Sequence, residues 1–255
     1  MASISVVIPA FNDAEMLRSC LAALATQTRE ADEVIVVDNG STDDTAQVAL
    51  DGGARLVLEP RRGIFSATAA GFDAVTGDIV ARLDADSRPA PDWLECVERL
   101  LHDQDGLTAV TGPGEFYGAN AVVRWLGRVI YIGGFFWFIG IVLGHPPLFG
   151  SNFAMPIEMW RRVRGTVNSD VRTVHDDLDL SYHLQPDMDV VYDESLHVEI
   201  SARPFASFAS IGRRLAWAYT TLSIDFREIS PGERRRRRRE WAKAQLDATT
   251  DGLVV

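Results

Sequence analysis

The feature that most constrains this chain is a pattern met three times in its first third, a short β-branched apolar run that stops abruptly in a polar turn. Ser5–Ile8 runs into PAFN (9–12), Glu33–Val37 into DNGSTDD (38–44), and Asp78–Leu83 into DAD (84–86). Arg55–Leu58 is a further run of the same kind, and each is bounded by Gly, Pro, Asn or Asp, so all four read as strands. Between them Ala14–Leu24, Asp43–Leu50, Phe65–Ala74 and Asp92–Leu101 carry apolar residues at helical spacing. Strands alternating with helices give an α/β fold, a mostly parallel sheet covered on both faces. Ligands of such sheets bind beyond the carboxyl ends of the strands. One polar turn there is what solvent demands of any loop, whereas three at the same edge predict a binding crevice.

Composition removes several classes of activity. The 255 residues are 47% hydrophobic and 24% charged, an ordinary globular balance with enough chain to bury a core. With 25 basic against 36 acidic residues the net charge is −11, which argues against nucleic acid as a partner. Lys243 is the only lysine and no GK[ST] occurs, which disfavours Schiff-base chemistry and a P-loop. Cys20 and Cys96, with no CxxC, suggest neither a disulfide scaffold nor a thiolate zinc site. GPGEFYG (112–118) is one residue too long for a dinucleotide fingerprint and reads as a glycine-rich turn, and no GxSxG elbow is present. No basic region precedes Ile4–Pro9, so a signal peptide is not expected.

The carboxylates carry the chemistry. In an extended segment residues i and i+2 share a side, so Asp84 and Asp86 can address one cation, and oxygen ligands suit Mg²⁺ or Mn²⁺. The plain alternative is a solvated turn after a buried strand. Asp38 ends a strand ahead of Ser41 and Thr42, either of which can cap the next helix; Asp38 itself is read as a ligand contact. Asp176, Asp177 and Asp179 stand in HDDLDLS (175–181), where they favour a helix N-terminus through its dipole or supply a general base. His197, after a strand, is either a third metal ligand or structural, while His102 and His145 read as surface or turn residues.

SVVIPAFN, VIVVDNGSTDDT, the Gly63…Gly71 segment, GDIVARLDADSRP and HDDLDLS together resemble, in order and spacing, the family 2 glycosyltransferases of GT-A fold over residues 3–200. The resemblance implies a Rossmann-like sheet and an inverting transfer from a nucleotide-diphosphate sugar to an acceptor hydroxyl or phosphate. By position it implies that Pro9, Ala10 and Asn12 line the nucleotide pocket and that Asp38 holds the base with Ser41 nearby. Asp84 would touch ribose or sugar and Asp86 would ligate the metal. Asp177 would be the catalytic base, with Asp176, Gly150, Ser151 and Asn152 on the acceptor side. Where many relatives carry Arg-Asn this chain has Thr68-Ala69, and Arg61 or Arg62 is expected to supply the lost positive charge. The QxxRW motif of processive synthases is absent, which favours a single or limited transfer.

The expected organisation is a catalytic domain over 1–203 with an apolar insert at 129–148, then a helical extension over 204–255. Residues 129–144 are sixteen uncharged, mostly apolar positions, about 24 Å of helix against a hydrocarbon core of roughly 30 Å. A single crossing there would also part Asp84 and Asp86 from Asp177. The segment is read as lying in a membrane interface, meeting a polyprenyl-linked or other glycan acceptor, or packing on the domain or a second subunit. Phe205, Phe208, Ile211, Leu215, Tyr219, Leu222 and Phe226 fall at amphipathic spacing, and Arg234–Arg239 with Arg213 and Arg214 are read as a lipid-docking run. Together these predict an enzyme peripheral on the cytoplasmic face of the cell membrane. Two rivals are a sugar-nucleotide pyrophosphorylase, which would need a glycine-rich basic loop after the first strand, and a membrane-recruited nucleotide-sugar-binding protein with a degenerate pocket.

Overall fold

A computed structural model describes residues 2–102, 104, 106–118, 120–203 and 208–251. Seven strands form the main sheet: β1 (Ile4–Ala10), β2 (Glu33–Asp38), β3 (Arg55–Leu58), β4 (Ile79–Arg82), β6 (Leu107–Thr111), β8 (Phe153–Pro156) and β9 (Met188–Tyr192). Their order is β3-β2-β1-β4-β8-β6-β9. The first four pair in parallel, β8 runs antiparallel to both neighbours, and β9 is parallel to β6. A second sheet holds β5 (Arg88–Pro89), β7 (Gly114–Tyr117) and β10 (Val198–Ser201) in the order β5-β10-β7. Residues 114–117, expected as part of a turn, thus form a strand because β10 supplies a parallel partner.

All seven residues of β1 are buried, as the centre of a sheet covered on both faces requires. The pleat divides them. Ile4, Val6 and Ile8 pack with α1 (Ala14–Leu24), α2 (Thr45–Asp51) and α4 (Trp93–His102), whereas Val7 packs with α3 (Ile64–Ala74) and α7 (Ile157–Val163). On the second face Phe72 meets Trp160 edge to face at 5.3 Å. Gly71 sets how closely α3 lies on the sheet, since a Cβ there would stand 2.4 Å from Val7 Cγ1 and 2.9 Å from Val37 Cγ2.

Beyond β7 the chain enters α5 (Ala121–Leu126), a π-helical turn over Gly127–Ile132 and α6 (Gly133–Leu143). These merge into a 20-residue apolar span, Arg124–Leu143, with an 18-residue stretch that is only 25% buried. The expected length was sixteen residues; the helix recruits residues upstream of the uncharged run and reaches about 30 Å. Length therefore no longer argues against a crossing. Arg82, however, pairs with Asp84 ahead of the segment and with Asp176 beyond it, so both sides belong to one folded body.

After α8 (Asp176–His183), β9 and β10, the extension comprises α9 (Phe208–Glu228) and α10 (Pro231–Asp251). Phe205 lies outside the described residues. Leu222 and Ala218 of α9 pack on Ile139 and Leu143 of α6 and on Leu178 and Tyr182 of α8. Two of the six arginines, Arg234 and Arg238, are drawn into the fold, while Arg235, Arg236, Arg237 and Arg239 are exposed. Arg234 is 5% exposed, and its guanidinium donates to Tyr182 O at 2.8 Å, Ser181 O at 3.0 Å and Leu143 O, where α8 and α6 run out of backbone donors. Arg238, one turn on, donates to Met188 O at 2.9 Å and pairs with Asp189 at 2.7 Å. Arg236 and Arg237 pair with Glu233. His145, expected as a surface or turn residue, lies in the bend after α6 but is buried and accepts from Arg234 at 2.7 Å. Burial and that cation push its pKa down to about 3, so it stays a neutral acceptor.

Candidate active site

The first two polar turns are laced to each other. Pro9 and Ala10 end β1 opposite Val37 and Asp38. Asn12 adopts φ 51°, a left-handed conformation that asparagine tolerates. Its Oδ1 accepts from Thr42 N at 2.8 Å, and its own N–H donates to Ser41 Oγ at 3.0 Å. Asp38 Oδ1 accepts from Ser41 N at 2.9 Å, so Asp38 shapes the turn itself, a local role the spacing did not suggest. The expected cap is displaced too: α2 begins at Thr45, whose N–H and hydroxyl donate to Asp43. Asn39 reaches across to the β3–α3 loop, donating to Glu59 O at 2.8 Å and Arg61 O at 2.7 Å and accepting from Gly63 N at 2.9 Å. That brace places Arg62, whose guanidinium donates to Asn39 O at 2.8 Å and lies 3.2 Å over the Phe11 ring. Arg61 instead pairs with Glu59 and Asp170, so of the two candidates Arg62 is the cation at the crevice.

The third turn centres on Arg82, the last residue of β4 and 1% exposed. Its guanidinium pairs with Asp84 Oδ1 at 2.8 Å and Asp176 Oδ2 at 2.9 Å, joining strand end to helix start. Against burial, which disfavours charge on both partners, the pairing holds the Asp84 carboxyl below the ordinary carboxylate range. Ser151 Oγ donates to the other Asp84 oxygen at 2.5 Å. Asp86 differs: burial and the neighbouring Asp84 charge raise its pKa. Two neighbouring carboxylates that offer oxygens only are a donor set that fits a hard divalent ion.

Asp176 and Asp177 begin α8 and diverge. Asp176 is buried, with Oδ2 held by Arg82 and by the Thr68 hydroxyl at 2.7 Å, so it braces the site and does not face an acceptor. Thr68, where the resemblance expects part of an Arg-Asn pair, is thus a working member of the site. Asp177 has other partners, accepting from Gly150 N at 2.9 Å and Leu178 N at 2.8 Å. Burial and the adjacent Asp176 raise its pKa, the direction a general base needs. Only glycine fits at 150, because a Cβ would stand 2.6 Å from Arg82 Nη1 and 3.0 Å from Asp177 Oδ2. Gly150 and Ser151 are thus buried beside the carboxylates, Gly150 against Asp177 and Ser151 against Asp84. Asn152 is held elsewhere: fully buried, it accepts from Trp93 Nε1 at 2.8 Å and donates to Pro113 O at 2.9 Å and Leu196 O at 2.6 Å.

His197 is not brought to Asp86. It stands opposite Ala90, four residues along the strand pair from Asp86, and pairs with Glu115 at 3.1 Å. The group at Asp86 is one the sequence did not single out: Arg203, 2.8 Å from Asp86 Oδ2 and 2.5 Å from Asp13 Oδ1. Arg214, read as lipid-facing, lies near enough for its charge to act on Asp84. Outside the cleft, Asp179, His183 and Asp225 gather at the α8–α9 contact with ligand atoms within 4.8 Å of one another. His183 pairs with Asp179 at 3.1 Å and Glu228 at 3.2 Å, while Asp225 Oδ2 is buried without a partner.

An uncharacterised glycosyltransferase of Mycobacterium tuberculosis is 45% identical over 112 residues, 44% of this chain and 50% of that protein. The undecaprenyl-phosphate 4-deoxy-4-formamido-L-arabinose transferase of Klebsiella pneumoniae is 39% identical over 113 residues, 40% of this chain and 33% of its own length. The chain thus spans half or less of these relatives. Among solved structures, a mannosyltransferase of Pyrobaculum calidifontis in complex with GDP-mannose and Mn²⁺ shares the fold at TM-score 0.68 and 22% identity, covering 89% of this chain and 64% of that one. The sequence pattern described as glycosyl transferase family 2 matches residues 5–149, more than half of the chain, so the protein belongs to glycosyl transferase family 2.

Proposed function

We propose that the protein transfers a sugar with inversion from a nucleotide-diphosphate sugar to an acceptor hydroxyl or phosphate, by single displacement, with Mg²⁺ or Mn²⁺. The observation that carries this reading is Arg82, which pairs with Asp84 and Asp176 and lies within electrostatic reach of Asp177 at one sheet edge. The turns at Pro9–Asn12 and Asp38–Ser41 receive the nucleoside, and Arg62 faces its diphosphate. Asp84 orients ribose or sugar by accepting hydroxyl hydrogen bonds. Asp86 would hold the cation, whose chemistry is neutralisation of charge on the departing diphosphate, worth several kcal/mol in general. Asp177 takes the proton from the acceptor oxygen as that oxygen attacks the anomeric carbon. Thermal unfolding with UDP, GDP, dTDP and CDP, each with and without Mn²⁺, tests the assignment. One metal-dependent stabilisation, lost in Asp86→Ala, is expected; no shift with any nucleotide would favour a degenerate binding protein.

The acceptor side is read as facing a membrane, peripheral on the cytoplasmic face, with a lipid-linked acceptor. Support comes from the exposed apolar helix, where Trp137 is 70%, Phe138 54% and Ile141 51% exposed, and from the Klebsiella relative's undecaprenyl-phosphate substrate. Co-sedimentation with anionic vesicles should be lost in Trp137→Glu/Ile141→Glu; unchanged partitioning of that double variant would end this reading.

A further inference from the structure

We infer that Arg203 is the built-in counter-cation of Asp86, and that its guanidinium and a divalent ion are alternative occupants of that carboxylate. The inference rests on the metal reading above and extends it to a residue that the family pattern does not single out. Asp84 has dedicated partners, Arg82 on one oxygen and Ser151 on the other. Among the described residues Asp86 is met by Arg203 alone of the cations, its Oδ2 2.8 Å from Nη2. Nη1 of the same guanidinium holds Asp13, so one arginine clamps carboxylates from the first and third turns.

Arg203 follows β10, and its N–H donates to Ser201 Oγ at 3.2 Å, so the backbone is tethered beside the site. The side chain is 47% exposed, long and flexible, and it can leave Asp86 by rotation alone. A divalent ion on Asp86 would stand within a few ångströms of the guanidinium, and like charges repel steeply at that range. Arrival of metal therefore releases Arg203. The released planar fork matches the oxygens of a diphosphate, which arrives with the metal. Metal affinity in the absence of nucleotide is accordingly held down by an internal competitor, which couples metal loading to donor arrival.

The test is equilibrium Mn²⁺ binding to the full chain without nucleotide, read from the electron paramagnetic resonance signal of free Mn²⁺. Arg203→Met should bind Mn²⁺ about two- to fivefold more tightly than wild type, the scale of one half-exposed ion pair, while Arg203→Lys stays near wild type. Asp86→Asn separates the two ideas. Mn²⁺ binding that Asp86→Asn abolishes but Arg203→Met leaves unchanged or weakens would overturn the competition and spare the metal site. Binding indifferent to Asp86→Asn, or none in any variant, would overturn both.

Discussion

Replacing Arg234 with methionine tests whether the arginine run is a staple or a solvated face. The guanidinium is 5% exposed and donates to Tyr182 O, Ser181 O, Leu143 O and the His145 ring. Methionine fills much of the same volume but leaves these four acceptors without their donor. At about 1.5 kcal/mol for each hydrogen bond to a charged group, the loss is about 6 kcal/mol. Burial and the nearby Arg238 lower the Arg234 pKa from the ordinary arginine value to about 10. That shift means the cation already costs about 3 kcal/mol to bury, which the uncharged side chain recovers. The net expectation is a destabilisation of about 3 kcal/mol, measured by urea unfolding followed by tryptophan fluorescence. Hydrogen exchange should accelerate at the C-terminal turns of α6 and α8. Arg239→Met, at an exposed position of the same run, is the control and should stay within about 0.5 kcal/mol of wild type. If Arg234→Met also unfolds within 1 kcal/mol of wild type, the staple is wrong and the run is surface charge after all.

Asp177→Asn should keep nucleotide affinity and lower the transfer rate by about 10²–10⁴-fold, the range for a lost general base; a fall of less than tenfold would move the base elsewhere. Gly150→Ala must push aside Arg82 Nη1 at 2.6 Å, so it should destabilise by about 1–3 kcal/mol and slow transfer, whereas a silent variant would show that the cleft wall yields. Despite burial, Asp179 and Glu228 raise the His183 pKa to about 9, a contribution complete below the unfolded value of about 6.5 and lost as pH rises through 9. Burial and Asp179 raise Asp225 to about 8, so stability also falls as pH climbs from about 4 to 8. Asp225→Asn should flatten the lower part of that slope in unfolding measured from pH 5 to 9; an unchanged profile would show that Asp225 does not titrate there.

The strands, their polar ends and the first helices were legible because they are local. A β-branched run ending in Asn or Asp specifies strand and turn within a dozen residues, and β1, β2, α1 and α3 fall where periodicity puts them, to within two residues. Asp84 and Asp86 were legible as residues of the polar turn after β4, but the chain turns there, with Ser87 N donating to Asp84 O at 3.0 Å, where the spacing suggested an extended segment. Tertiary structure decided what those groups meet. Asp176 and Asp177 are neighbours in sequence with the same chemistry, yet α8 gives one to Arg82 and Thr68 and the other to the Gly150 backbone. Asn152 sits beside Gly150 and Ser151, which meet Asp177 and Asp84, yet it is consumed by the core. Six identical arginines carry no local mark of which one is buried; the rotation of α10 against α6 and α8 selects Arg234 and Arg238, one turn apart. Arg203 and Asp13 are 190 residues apart, and no periodicity joins them. Local sequence determines backbone form, because φ and ψ answer to near neighbours. A charged side chain's role depends on which opposite charge the packed chain brings within 3 Å, and that is settled only when the sheet and its helices close.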